Sequence, residues 1–305
     1  MGSFVEWLPN VKRIARGIRL RVLRHTLQHG GGYLSQGCSS AELLALLYGD
    51  LLNLGPSCGP LVPPKFSAVP GASTAATHGW VYNGPRDPEL ARFFFSPVHY
   101  SLALYAALIE VRRLGEDALD GFDEDGSTVE MIGAEHSPGI EVTAGSLGQC
   151  LSQALGVAMA RRRRGESGTN WVFMSDGEFQ EGQTWEAFAA AHYHGVDNLR
   201  VIVDVNGQQC DGDMASVMSI EPLAARLDAF GSSVREVDGH DLVALRRAAM
   251  SGVAGRVRVI LARTDACRGV ELLRSRAPNL HYLRFKSDDE KAAYAALLRQ
   301  MEAES

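Results

Sequence analysis

Residues 171–209 read WVFMSDGEFQEGQTWEAFAAAHYHGVDNLRVIVDVNGQQ. The pattern predicts a short apolar strand at 171–174, a helix at 184–194 and a second apolar strand at 199–203. A strand, a helix and a strand at this spacing form a crossover unit, which places the two strands parallel in one sheet. The stretch therefore predicts an α/β fold.

The same alternation extends on both sides of this unit. Further helices are predicted at 11–27, 43–52, 100–114, 147–163, 222–230, 242–251 and 287–301, and further strands at 233–237 and 257–262. Residues 39–42, SSAE, match a capping box for the second of these helices. We expect one doubly wound domain over residues 1–305, with a parallel sheet and helices on both of its faces.

Residues 55–88 interrupt this regular pattern. They carry several prolines among Gly, Ser, Thr and Ala. Loops of this length without regular structure are uncommon in compact domains and tend to be functional or mobile. We expect a lid, an interface arm or a disordered insert, and the sequence leaves these three alternatives open.

Composition excludes several classes of protein. The chain of 305 residues has a net charge of −6, so it has no overall positive electrostatic field that would attract nucleic acid. No apolar stretch approaches the ~20 residues of a membrane span, and the first 25 residues lack the apolar core of a secretory signal. Five cysteines without a CxxC pair predict free thiols. We expect a cytoplasmic protein that contacts neither membranes nor nucleic acid.

Two loops carry the residues that are best suited to bind a ligand. Asp176 and Gly177 follow the strand at 171–174, and Asn206 follows the strand at 199–203. Ligands of open parallel sheets collect beyond the carboxyl ends of the strands, so these side chains should meet. Oxygen ligands of this kind suit Mg²⁺ or Ca²⁺, and Mg²⁺ often binds phosphate oxygens as well. Asp-Gly and Asn-Gly are each ordinary turn dipeptides, but their combination at two strand ends is more specific.

Three sequence blocks resemble the diphosphate-binding half of transketolase, a thiamine diphosphate enzyme. They are GSLGQCLS at 145–152, SDGEFQEGQTWEA at 175–187 and DNLRVIVDVNGQQCDG at 197–212. The Asp-Gly and Asn signature is shared by thiamine diphosphate enzymes generally, whereas the flanking blocks are typical of transketolases. Weaker similarity extends from about residue 13 to about residue 281.

The resemblance implies a set of cofactor-binding residues. They are His99, Gly145, Leu147, Asp176, Gly177, Asn206 and Gln208. Asp176, Asn206 and the main-chain carbonyl of Gln208 would hold Mg²⁺ (or Ca²⁺) against the diphosphate of the cofactor. Gly145 and Leu147 would lie near its thiazolium ring.

The resemblance also implies several groups near the reaction centre. His99 corresponds to a histidine that hydrogen-bonds the diphosphate, while His281 and His136 correspond to further active-site histidines. Glu181 and Glu186 correspond to partly buried carboxylates that pass protons at the interface between active sites. Without the resemblance, the histidines would be ordinary core or surface residues, and the glutamates would be exposed carboxylates at a helix start.

The chain departs from the family pattern at several positions. Tyr33 stands where the family has a histidine that handles substrate hydroxyls, and Ser175 and Cys150 replace glycines. A Lys-Gly-Lys-Gly turn of the family is replaced at residues 265–269. Diphosphate binding should tolerate these changes, but the contacts to the substrate should differ from those of an ordinary pentose phosphate enzyme.

The resemblance covers only the first half of a transketolase. The missing half has a pyrimidine-binding domain, which supplies the Glu that activates the cofactor, and a C-terminal domain. We expect a second subunit to carry both domains in a heterotetramer, and this chain to self-associate through the helices after Gly145 and Gly182.

The expected function is that of the N-terminal subunit of a split, thiamine diphosphate-dependent transketolase-like enzyme. It would transfer a two-carbon ketol unit from a ketose (phosphate) or related 2-oxo donor to an acceptor. Two alternatives remain. One is the alpha subunit of a 2-oxo-acid decarboxylase or dehydrogenase, and the other is a non-catalytic, cofactor-binding regulatory paralogue.

Overall fold

A five-stranded parallel sheet forms the centre of the computed structural model, which describes residues 7–66, 78–210 and 212–304. Its strands are β1 (Arg92–Phe95), β2 (Asn170–Ser175), β3 (Leu199–Val205), β4 (Ser233–Asp238) and β5 (Arg258–Arg263). They lie in the order β1-β2-β3-β5-β4, and every neighbouring pair is parallel. The predicted doubly wound α/β fold is confirmed.

Helices precede, connect and follow these strands. The α-helices of the described residues are α1 (Trp7–Gln28), α2 (Leu34–Leu46), α3 (Ser101–Glu110), α4 (Cys150–Arg163), α5 (Gly182–Tyr193), α6 (Met214–Val217), α7 (Leu223–Ala229), α8 (Leu242–Met250) and α9 (Asp288–Ala303). A π-helical turn, Leu47–Leu51, continues α2. Short 3₁₀ helices lie at Gly79–Asn83, Val98–Tyr100, Ala118–Gly121, Asp176–Gln180 and Glu271–Arg276. Two short antiparallel pairs join Gly31–Gly32 to Leu283–Arg284 and Gln208–Gln209 to Gly212–Asp213.

The central strands are covered on both faces. Every residue of β2 is buried, and successive side chains of a strand point to opposite faces. Continuous apolar strands such as the WVFM run of β2 are typical of parallel sheets between two layers of helices. α4 contacts β1, β2 and β3, and α2 contacts β3. Ligands of such sheets bind in the loops beyond the carboxyl ends of the strands.

Two local predictions are wrong. Strand β1 is absent from the sequence-based prediction, which assigns no element between residues 88 and 100. α2 begins at Leu34 rather than at residue 43, and Ser39 and Ser40 lie buried inside it rather than capping it. The Ser39 hydroxyl donates to Asp204 Oδ2 at 2.6 Å, and the Ser40 hydroxyl donates to a backbone carbonyl one turn earlier. Their polar atoms are thus satisfied within the helix and by a distant strand.

The described ends of the predicted insert lie against the domain. Residues 55–66 contain no helix or strand. The carbonyl of Leu61 accepts a hydrogen bond from Gly115 N–H, and Phe66 N–H donates to Gly126, each at 2.8 Å. Residues 67–77 lie outside the described residues. No helix in the described part of the chain is long and apolar enough to cross a membrane.

A buried ion pair joins α1 to α2, and His240 connects this pair to the loop after β5. Arg19 of α1 pairs with Glu42 of α2, and His240 donates from Nδ1 to the same Glu42 oxygen at 2.9 Å. His240 Nε2 accepts the backbone N–H of Asp265 at 2.8 Å, so Nδ1 carries the proton of the neutral ring. Burial raises the pKa of Glu42, but the hydrogen bond from His240 and the Arg19 contact outweigh it and bring the pKa to about 2.

Glu42→Gln should lower the free energy of unfolding at pH 7 by about 3–5 kcal/mol, because Arg19 loses its buried partner. The folded pKa of Glu42 lies below its unfolded value near 4.5. The wild type should therefore lose this stabilisation as the pH falls from about 5 towards 2, and the variant should not. Urea denaturation at several pH values measures both effects. The matched control is Glu302→Gln, whose exposed pair with Arg24 is worth ~0–1 kcal/mol. Equal losses in the two variants would contradict the prediction.

Candidate active site

The carboxyl ends of β2 and β3 bring two acidic loops together. The register pairs Ser175 with Asp204, so Asp176 and Asn206 follow at the same edge. Gly207 has a φ of +69°, a backbone conformation that glycine adopts readily. This turn directs the Gly207 N–H to Asp176 Oδ2 at 2.8 Å, and the Gln208 N–H donates to Asn206 Oδ1 at 2.9 Å. The three predicted metal ligands therefore adjoin one another.

Two buried acidic side chains lie at this edge of the sheet. Asp176 is 2% exposed and Asp204 is fully buried. Burial, followed by the charge of Asp204, raises the pKa of Asp176 to about 7. Burial also raises the pKa of Asp204, which accepts hydrogen bonds from Ser39, Thr264 and Asn206. Two carboxylates crowded in this way favour a cation beside them.

Tyr100 orients Asn206. The Asn206 amide nitrogen donates to the Tyr100 hydroxyl oxygen at 2.8 Å and to Asp204 Oδ2 at 3.2 Å. Burial raises the pKa of Tyr100 above its ordinary value, as do the charges of Asp204 and Asp176, so its hydroxyl stays protonated. Because the amide nitrogen is engaged, the amide oxygen remains on the side of Gln208. Sequence reasoning missed Tyr100, although it directly follows the predicted site residue His99.

A cavity of about 320 Å³ opens beside this edge. Nine of the eleven predicted site residues line it, namely His99, Gly145, Leu147, Asp176, Gly177, Glu181, Asn206, Gln208 and His281. Gln36, Gln180 and Cys210 line it as well and were missed, since no local pattern marks them. The structure thus assembles residues as far apart in the sequence as Tyr33 and His281 around one space.

Three aromatic side chains form one wall of the cavity. The ring centroids of Tyr33 and His99 lie 5.7 Å apart, those of Tyr33 and His281 lie 5.5 Å apart, and those of His99 and His281 lie 5.3 Å apart. Burial and the nearby His281 lower the pKa of His99 to about 3, so His99 is neutral and has one N–H to donate. Gln36 Nε2 donates to the His281 carbonyl at 3.0 Å. Tyr33, His99 and His281 therefore form one aromatic cluster at the wall of the cavity.

The remaining predicted residues lie elsewhere or are more exposed than expected. His136 does not line the cavity; its Nε2 lies 2.8 Å from Glu130, and its ring contacts Phe66. Glu186 lies exposed on α5 outside the cavity, and Glu181 is exposed at the cavity wall. The partly buried environment expected for these two glutamates is not formed by the described residues of this chain.

Glu178 connects three of the loops around the cavity. It is fully buried, and its carboxylate accepts hydrogen bonds from the Ser96 hydroxyl, the Ser175 N–H at 2.9 Å and the Gly148 N–H at 3.4 Å. Gly148 has a φ of +78°, and a Cβ there would lie 2.7 Å from the Cβ of Glu181. Glu178 thus ties together the segments that carry His99, Leu147 and Asp176. Sequence reasoning missed it, because its partners come from distant segments.

Comparison with known proteins identifies the family of this chain. Residues 76–271 match the family described as "Transketolase, thiamine diphosphate binding domain". This chain belongs to the transketolase family and carries its thiamine diphosphate-binding domain. The resemblance to transketolase that the sequence predicts is confirmed, which favours it over the decarboxylase or dehydrogenase alternative.

Individual relatives match over different shares of their length. An uncharacterised transketolase family protein of Sinorhizobium fredii is 36% identical over 282 residues, which are 90% of each chain. An apulose-4-phosphate transketolase subunit from Actinobacillus succinogenes is 28% identical over 97% of each chain. The solved transketolase of Campylobacter jejuni superposes with a TM-score of 0.69 at 21% identity, over 97% of this chain but 47% of that one. The chain therefore spans less than half of this solved transketolase.

Proposed function

We propose that this chain is the N-terminal, diphosphate-binding subunit of a split transketolase. The complete enzyme transfers a two-carbon ketol unit from a ketose (phosphate) or related 2-oxo donor to an acceptor. The observation that carries the proposal is the acidic edge at which Asp176, Asn206 and Gln208 meet beside a cavity. The relative of matching length from A. succinogenes, which is named as one subunit of a transketolase, supports it.

The donor set at this edge fits Mg²⁺ (or Ca²⁺). A carboxylate, an amide oxygen and a main-chain carbonyl are the hard oxygen ligands that these ions take. Gln208 Oε1 is buried without a hydrogen-bond partner among the described residues, and a bound group with donor atoms would satisfy it. The ion would supply positive charge between Asp176 and the diphosphate.

The cavity residues divide between the two ends of thiamine diphosphate. The N–H of neutral His99, just before α3, would donate to the diphosphate where the positive end of the helix dipole also favours an anion. Gly177 would allow the phosphate to approach the backbone. Gly145 and Leu147 would lie beside the thiazolium ring. The bound cofactor supplies the electron sink for cleaving the carbon–carbon bond next to a carbonyl.

A second subunit would complete the site. Glu181 is exposed yet lines the cavity, so an added chain would bury it in the environment that proton transfer needs. We propose a heterotetramer in which this chain also self-associates through α4 and α5, where Tyr193 is 84% exposed. All five cysteines are free thiols, which supports a reducing, cytoplasmic location.

Ketol transfer by the assembled enzyme tests the function. The chain would be mixed with a partner that carries the pyrimidine-binding and C-terminal domains, then given hydroxypyruvate and glycolaldehyde. Formation of erythrulose and carbon dioxide, followed by NMR, is the expected result. Cofactor binding without any transfer to a panel of aldehydes would instead favour a regulatory paralogue.

His99→Ala should weaken binding of thiamine diphosphate about ten- to a hundred-fold, because a hydrogen bond to a charged acceptor is worth ~1.5–3 kcal/mol. Isothermal titration calorimetry at saturating Mg²⁺ measures the effect. His194→Ala is the matched control, since His194 is exposed at the end of α5. A folded His99 variant with the wild-type dissociation constant would show that His99 does not contact the diphosphate.

A further inference from the structure

Gln36 lies beside His281, and both residues line the cavity of about 320 Å³. Gln36 belongs to α2 and is 3% exposed. His281 comes from the far end of the chain, and the antiparallel pair between Gly31–Gly32 and Leu283–Arg284 brings the two segments together. Gln36 is not one of the proposed cofactor-binding residues, so its place at the cavity calls for a separate explanation.

The amide group of Gln36 has one favourable orientation. Its nitrogen lies 3.0 Å from the backbone carbonyl oxygen of His281, and the Ser35 hydroxyl donates to its oxygen at 2.9 Å. A carbonyl oxygen only accepts hydrogen bonds, so the amide atom that faces it has to be the nitrogen. The reverse orientation would place two buried acceptor oxygens face to face, which is costly. Gln36 therefore presents N–H groups to His281.

The same amide nitrogen determines which nitrogen of the His281 ring carries the proton. It lies 3.3 Å from His281 Nδ1. Because an amide nitrogen donates and does not accept, Nδ1 of the neutral ring is the acceptor, and the proton lies on Nε2. The ring also meets the edge of Tyr33, with the ring centroids 5.5 Å apart. Neighbouring side chains thus set both the position and the tautomer of His281.

The tautomer of His281 decides what its ring can offer to a ligand. No Lys or Arg is among the described residues that line the cavity. Apart from the proposed metal ion, a ligand oxygen there meets neutral N–H and O–H groups. Burial raises the pKa of Tyr33, so its hydroxyl stays protonated and can donate. With its proton on Nε2, His281 adds a second donor to the same wall.

We propose that Gln36 is a positioning residue, which holds His281 in the Nε2–H tautomer so that this ring donates a hydrogen bond to a ligand oxygen in the cavity. The oxygen belongs either to the diphosphate of the cofactor or to a hydroxyl or carbonyl group of the donor substrate. Gln36 acts through His281. The identity of the ligand rests on the proposed function, whereas the tautomer is a property of this chain alone.

Nitrogen NMR of the full chain with isotope-labelled histidine tests the tautomer without catalysis. His281 Nδ1 should give the signal of an unprotonated nitrogen and Nε2 that of an N–H, and both signals should be missing in His281→Gln. In Gln36→Glu a carboxylate oxygen replaces the amide donor, so Nδ1 should gain a proton and its signal should move to the N–H range. Gln300→Glu makes the same change at an exposed position of α9 and should leave the His281 signals unchanged.

Two results of this experiment would overturn the proposal. One is a proton on Nδ1 of the neutral His281 ring in the wild type. The other is an unchanged Nδ1 signal in folded Gln36→Glu. If Gln36→Glu does not fold, Gln36→Met replaces it, because methionine has a similar length and no N–H. Its Nδ1 signal should shift, and an unchanged signal would again overturn the proposal.

Calorimetry and kinetics identify the ligand oxygen. Gln36→Met should either weaken binding of thiamine diphosphate or lower kcat/KM for hydroxypyruvate at saturating cofactor, in each case about two- to ten-fold. The first result assigns the oxygen to the cofactor, and the second assigns it to the donor substrate. The same substitution in a His281→Gln background should have no further effect, because Gln36 acts through His281.

The remaining outcomes separate this proposal from the proposed function. Wild-type cofactor binding and wild-type kcat/KM in folded Gln36→Met would overturn the proposal, as would an equal effect of Gln36→Met with and without His281. If the wild-type complex with the partner chain transfers no ketol units, the proposed function fails. The NMR spectra of the chain alone then still decide whether Gln36 sets the tautomer of His281.

Discussion

Asp176→Ala should abolish the Mg²⁺-dependent binding of thiamine diphosphate. Asp176 is the one carboxylate among the three proposed metal ligands. Without its negative charge the sheet edge would no longer hold the cation, and the diphosphate would lose the cation that binds it there. The dissociation constant should rise more than about a hundred-fold, beyond the effect of losing a group that only orients a metal ligand. Calorimetry with and without Mg²⁺ measures this change.

Two further variants distinguish the loss of the Asp176 charge from a loss of folded structure. Asp176→Asn keeps the size of the side chain and an oxygen that accepts the Gly207 N–H, so it should fold like the wild type and still lose most of the affinity. Asp228→Ala removes a carboxylate whose side chain is 72% exposed and should bind normally. Undiminished binding by folded Asp176→Ala would show that the metal is held elsewhere.

The chain alone should catalyse ketol transfer more than about a hundred-fold more slowly than the complex of both subunits, which is within the range that proton-transfer groups contribute. In the proposed enzyme, this chain binds the diphosphate, and the groups around the pyrimidine ring come from the partner. Erythrulose formation as a function of partner concentration measures the effect, and saturation should occur at equal numbers of the two chains.

Assembly and catalysis can be separated in the same experiment. Asp176→Ala should still form the heterotetramer on size-exclusion chromatography, because Asp176 is buried in this chain, yet the complex should be inactive. If the wild-type chain without the partner transfers ketol units at the rate of the mixture, the split enzyme is ruled out.

The crossover from β2 through α5 to β3 was predictable from the sequence. The two strands are short apolar runs that local residues alone indicate, and parallel pairing follows from the helix between them. Asp176 and Asn206 could be assigned to one edge for the same reason, since each directly follows a strand of the same crossover. The boundaries were less accurate. α2 was placed nine residues too late, starting at 43 rather than 34, because its buried serines match an N-terminal cap.

The site beyond these two loops depended on contacts between distant segments. Ser39 and Asp204 are 165 positions apart, and Ser96 and Glu178 are 82 positions apart. Contacts between residues so far apart leave no periodic pattern in the local sequence. The resemblance implies that His136 is an active-site histidine, yet its ring lies against Phe66 outside the cavity.

The class of fold, the two acidic loops and the family could be predicted from the sequence, because each depends on short local patterns or on residue types at fixed spacing. The way Tyr100 and Glu178 hold these loops, and the way Tyr33 packs against His99 and His281, could be seen only in the folded chain. These features depend on burial and on the distances between side chains from separate elements. Both quantities are properties of the packed chain, and local sequence does not specify them.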